Sequence, residues 1–153
     1  TERELEGGLI IRWEQEGKAI QGFPKFETFK RQRKRDTGKP DIVINKDSMT
    51  PICVEVKAGD ADGNAAYQLL KYMQEHNTRF GVLAAPGISE GGIDALAQIR
   101  RLNRPSLLSS VFVRVPFYRY RIEYYDTTLH NIQGDPAIHD RHLESKVQDT
   151  EET

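Results

Sequence analysis

Apolar positions along the chain change period several times, and each change predicts a different element. Leu5, Leu9, Ile10 and Trp13 recur at helical spacing, and Gly17 follows as a stop, so a helix is predicted over residues 2–16. A strand is predicted near residues 23–33, built on Phe23, Phe26 and Phe29. Two short apolar runs follow, Ile42-Val43-Ile44 and Ile52-Cys53-Val54, separated by Asp47-Ser48-Met49-Thr50. They predict strands over residues 40–46 and 51–57 joined by a hairpin turn. After a polar loop at residues 59–64, Ala65, Leu69 and Tyr72 return to helical spacing, to about Asn77. Residues 78–85 read as a short buried strand stopped by Pro86-Gly87, and residues 89–103 as an amphipathic helix. Leu107 to Val113 and Phe117 to Ile122 read as one or two strands broken at Pro116. From about Asp126 the periodicity fades, and residues 126–153 are expected to be a polar tail or linker with a marginal helix near residues 139–148. The order, helix, three strands, helix, strand, predicts an α/β fold with a mixed central sheet flanked by helices.

Charged residues interrupt two of these apolar strands. Asp41 opens the first run, and thirteen residues separate it from Glu55 in the second. Residues two apart in a strand share a face, so Glu55 and Lys57 point one way and Val54 and Val56 the other. Pairing of the two runs brings Asp41 beside Glu55. Two carboxylates and an ammonium in an apolar sheet are costly unless their charge is compensated, and a divalent cation does that. Oxygen ligands of this type suit Mg²⁺ or Mn²⁺. The same residues also fit a surface turn beside a solvated strand pair. On the following helix Gln68 and Tyr72 are i and i+4, one turn apart on one face.

Pro40-Asp41, Glu55-Val56-Lys57 and Gln68-x-x-x-Tyr72 together resemble the PD-(D/E)xK nuclease superfamily in its RecB-like branch. Within that branch the order and spacing are similar to the C-terminal nuclease domain of the NucS/EndoMS endonucleases, over about residues 2–115. The resemblance implies a restriction-endonuclease-like core (αβββαβ), here residues 1–125. It implies a Mg²⁺- or Mn²⁺-dependent hydrolase of phosphodiester bonds, with Asp41, Glu55, Lys57, Gln68 and Tyr72 as catalytic residues. Asp41 and Glu55, with the Val56 carbonyl, would be the metal ligands. An acidic residue in the first helix, reaching the metal directly or through water, is also implied; Glu6 is the choice, with Glu2 and Glu4 as alternatives. Relatives of this kind act on branched, flapped or mismatched DNA. Two other functions stay open: a non-catalytic DNA-binding or assembly module of the same fold, and an RNA-cleaving or effector-gated nuclease domain of a defence protein.

Composition narrows the picture. The chain has 153 residues and a formal net charge of −1. Nucleic-acid binding therefore has to come from local charge. The dense run Lys30-Arg31-Gln32-Arg33-Lys34-Arg35, with Lys39 beyond it, lies just ahead of Asp41 and is the candidate phosphate-binding segment. Lysines and arginines on an edge ribbon also block sheet aggregation, which is the alternative use of that run. Aromatics and arginines interleave between Arg114 and Tyr124, a candidate base-stacking or homodimer surface. His130, His139 and His142 read as solvated residues of the tail. The single cysteine, Cys53, excludes a disulfide framework and a four-cysteine metal or iron–sulfur site in this chain. No signal-peptide pattern and no apolar run of membrane-spanning length occurs, so the expected setting is cytoplasmic, with DNA as partner. The first residue is Thr1, which leaves room for an additional domain outside this chain.

Overall fold

A computed structural model of the chain describes residues 2–16, 23–32, 38–102, 109–114 and 123–126, and the side chains of those up to residue 99 except Glu16. Its elements run α1 (Glu2–Glu16), β1 (Phe29–Arg31), β2 (Ile42–Ile44), β3 (Ile52–Val56), α2 (Gly63–Glu75), β4 (Phe80–Ala85), α3 (Glu90–Leu102), β5 (Ser109–Arg114) and β6 (Glu123–Asp126). The strands form one six-stranded sheet in sequence order. β1, β2 and β3 are antiparallel neighbours, β3, β4 and β5 are parallel, and β6 returns antiparallel to β5. The protein is thus an α/β protein with a mixed sheet.

Both helical crossovers, β3–α2–β4 and β4–α3–β5, step in the same direction across the sheet. Right-handed connection then puts α2 and α3 on one face. The other face is left to α1. Alternation along the strands sorts the side chains accordingly. Ile52, Val54 and Val56 of β3 join Phe80, Val82 and Ala84 of β4 and Leu5, Leu9 and Trp13 of α1 in one buried cluster. Cys53, Leu83 and Ala85 join Ala65, Leu69, Tyr72 and Met73 of α2 and Ile93, Leu96 and Ile99 of α3 in the other. β3 and β4 are buried on both faces, which explains why they read as continuous apolar runs.

On the α1 side, the Trp13 ring meets Phe26 edge-on at 5.1 Å between centroids and stacks with Phe29 at 6.3 Å. On the α2 side the helix crosses β4 closely at Gly81. A Cβ there would overlap the Met73 thioether. Asp62 caps α2: its Oδ1 accepts the Ala65 N–H at 3.0 Å. Asp62→Ala is expected to lower stability by about 1 kcal/mol in denaturant unfolding without changing the slope. Asn77, at φ 52°, ends the helix in the left-handed conformation.

The structure departs from the strand predicted over residues 23–33: among the described residues 23–32, only Phe29–Arg31 is strand. Asn45 is the reason. It takes a left-handed backbone (φ 56°) just after β2 and turns its buried amide under the incoming chain. The amide accepts the N–H groups of Glu27 and Thr28 and donates to the Lys25 carbonyl. Those backbone groups are thereby satisfied without a ladder partner. At the other end, the last strand among the described residues is Glu123–Asp126, crossing the expected start of the tail. The segment Phe117 to Ile122 and residues 127–153, with His130, His139 and His142, lie outside the described residues.

Candidate functional site

The β2–β3 register places Ile42 opposite Val54. Continued one residue, it sets Asp41 opposite Glu55, on the sheet face that α2 covers. Gln32, whose N–H donates to the Asp41 carbonyl at 2.9 Å, extends the same row toward the sheet edge. Continued one residue further, the register sets Pro40 opposite Val56. Proline has no N–H to give, so the ladder stops there. Asp41 replaces it: its Oδ2 accepts the Val56 N–H at 2.7 Å. The N–H and C=O of one residue point to the same side of an antiparallel strand. The Val56 carbonyl therefore faces a position with no backbone donor.

Glu55 is 5% exposed. Its Oε2 lies 3.6 Å from the Lys57 ammonium, and its Oε1 is buried with no hydrogen-bond partner among the described residues. Burial dominates its protonation: desolvation, with Asp41 adding repulsion, pushes its carboxyl up to about 8 against the opposing pull of Lys57. Burial also pushes Asp41 up to about 6, the Val56 hydrogen bond working the other way and Glu6 and Glu2 adding repulsion. At neutral pH the pair thus holds about one proton, on Glu55, chiefly because burial disfavours its charged form.

From α2, Tyr72 packs down onto this face and is buried, while Gln68 one turn earlier is exposed. Gln68 Nε2 donates to the Tyr72 hydroxyl at 2.9 Å. Burial, then the nearby Glu55 charge, raises the Tyr72 phenol, which stays protonated and able to donate. Asp41, Glu55, Lys57, Tyr72 and Gln68 are therefore gathered at one end of the β2–β3 pair and under one turn of α2.

The first helix contributes two carboxylates with different surroundings. Glu6 is buried, and its Oε1 accepts from Arg3 at 3.0 Å and from Arg31 at 3.2 Å, an ionic staple between α1 and β1. Glu2, a turn earlier, reaches the end of β3, where its Oε2 accepts the Ala58 N–H at 3.2 Å. Glu2 acts electrostatically on both Asp41 and Glu55. Among the described residues no group of three or more His, Cys, Asp or Glu stands in metal-binding geometry. What the site offers a cation is two carboxylates, one of them with an unpartnered buried oxygen and an ammonium beside it, and a strand-end carbonyl. That donor set is all oxygen and fits a hard divalent ion.

Of the basic run, Lys30, Arg31 and Lys39 lie along an open groove of about 830 Å³ on the same sheet face, next to Pro40. Arg33, Lys34 and Arg35 lie outside the described residues. The groove also takes in Lys46 and His76, which sequence spacing does not connect to the run. Register alone does not connect Lys46 to the run, because it lies an odd number of residues past Val43, the partner of Lys30. Among the described residues no helix is long and apolar enough to cross a membrane. Comparison with known proteins gives no match: no family model, no curated protein and no solved structure matches this chain.

Proposed function

We propose that this chain is a Mg²⁺- or Mn²⁺-dependent DNA nuclease of the PD-(D/E)xK type, with a restriction-endonuclease-like core, acting as an endonuclease on branched, flapped or mismatched DNA. One observation carries the reading: Asp41 and Glu55 stand side by side where the β2–β3 ladder stops, with a buried Glu55 oxygen unpartnered and Lys57 3.6 Å away. The element order of the described residues, α1 to β4, fits the same reading. The preference for branched, flapped or mismatched DNA rests on the resemblance alone.

Asp41, Glu55 and the Val56 carbonyl would hold the ion, which when bound lowers the pKa of water and neutralises charge on the phosphoryl oxygens. Lys57 would orient the attacking water and stabilise the negative charge that develops on the phosphoryl oxygens. Tyr72, kept protonated, can donate to a phosphate oxygen, and Gln68 fixes its hydroxyl. Glu2 is placed to take an outer-shell water, whereas Glu6 is held by its arginines and acts on Asp41 through charge.

The test is cleavage of end-labelled single-stranded, duplex, flap, mismatch and four-way-junction DNA, and of a matched RNA, with Mg²⁺ or Mn²⁺. Metal-dependent cutting of DNA is the expected result. Binding without cutting under either metal would replace this reading by a non-catalytic module, and cutting of RNA alone would replace the substrate.

A further inference from the structure

The groove beside the carboxylates has a definite construction. α2 lies over β3 and β4. On that face β1 and β2 have no helix above them among the described elements, and the last turn of α2 forms one wall. Val43 is the floor, and Glu75 and His76 form the helix wall. Lys30, Lys39 and Lys46 line the rim, and Arg31, which also holds Glu6, contributes to it. Among the described residues none of these three lysines has an ion-pair partner. Among the described residues three such lysines thus face one carboxylate, while the Arg31 guanidinium is turned to Glu6 and the Arg3 carbonyl. The groove is lined from Pro40, next to Asp41, to Lys46 beyond the left-handed Asn45.

We infer that this groove leads an unpaired nucleic-acid strand to the Asp41–Glu55 pair, with Lys30, Lys39 and Lys46 on its phosphates and the His76 ring against a base. The inference rests on the nuclease reading for the identity of the polymer, and adds the path and state of the strand. Charge complementarity selects a polyanion. The cleft, about 830 Å³, is of small-ligand dimensions and has room for a few nucleotides of one strand. An imidazole on the wall gives an unstacked base a flat partner, as single-strand recognition requires. A substrate would then need a few unpaired nucleotides next to the bond that is cut.

The experiment is fluorescence anisotropy of a labelled twelve-residue oligo(dT), alone or annealed to oligo(dA), in chelator so that nothing is cut. The single strand is expected to bind more tightly than the duplex. Lys30→Ala with Lys46→Ala should flatten the plot of log affinity against log salt by about 1.4. His76→Ala should weaken binding about fivefold with the slope unchanged, and His76→Phe should restore it. Lys71→Ala, an exposed lysine of α2 that does not line the groove, is the control. Equal binding of duplex and single strand, or a salt slope indifferent to the two lysines, overturns the inference. Because no metal is present, these outcomes are independent of cleavage: a cutting enzyme with indifferent groove variants loses the path alone. A binding but uncutting protein loses the nuclease reading alone.

Discussion

Glu55→Gln is expected to raise the melting temperature of the metal-free protein at pH 8 and to leave it nearly unchanged near pH 4. Burial and the neighbouring Asp41 raise the folded-state Glu55 carboxyl from 4.5 to about 8, and burial raises Asp41 from 3.8 to about 6. A carboxyl raised on folding binds its proton more tightly in the native than in the unfolded chain. Its contribution to stability is therefore fully present below pH 4.5 and is lost as pH rises through about 8. Glutamine has the shape of the protonated acid and never ionises, so it removes the larger part of that loss. The gain at pH 8 is roughly 2–3 kcal/mol after the cost of an amide in a site with an unpartnered oxygen, or about 5–10 °C. Thermal melts in chelator from pH 4 to 9 measure it. If melting temperature climbed between pH 5 and 8 in both proteins, the buried pair would not be controlling stability. Mg²⁺ should then raise the melting temperature of the parent protein at pH 8 and have little effect on the Gln variant, because only the parent regains a second carboxylate.

Much of this arrangement was legible before any coordinates. β3 and β4 announced themselves because strands covered on both faces leave unbroken apolar runs, β2 because its three residues are all buried, and a charge in or beside such a run, Glu55 or Asp41, stands out. Register did the rest, since a period of two fixes which residues meet. α2 was equally clear from its spacing. Other features depended on partners distant in sequence. The chain before β1 looked like a strand, but its hydrogen bonds go to the Asn45 side chain, about twenty residues on. Glu2 and Glu6 share a helix face and are indistinguishable by position. Arg31, arriving from β1, takes Glu6 and leaves Glu2 at the end of β3. The groove was illegible for the same reason: Lys46 sits after β2 and His76 ends α2, and only the hairpin and the crossover bring them to Lys30.

Lys57→Met should abolish most cleavage while leaving strand binding intact, and it isolates the ammonium better than truncation does. Methionine keeps the length and packing of the stem, so β3 and its end are not disturbed. What disappears is the one cation within 4 Å of the carboxylate pair among the described residues. A donor aimed at charge that develops only in the transition state contributes to rate and little to ground-state binding. The expected fall in cleavage rate is about 10²- to 10³-fold, with oligo(dT) affinity in chelator within about twofold of the parent. Asp41→Asn makes the complementary case. Its amide oxygen can still accept the Val56 N–H, so the strand end survives, but the pair loses a charge. Its cleavage defect should shrink as Mn²⁺ is raised, because weakened ion binding can be overcome by mass action. The Lys57→Met defect should not shrink, since the ion's ligands are intact. Single-turnover rates across a metal titration separate the two. A Lys57→Met protein that cuts at the parent rate would remove Lys57 from the chemistry and, with it, the reason for reading Glu55-Val56-Lys57 as a catalytic strand.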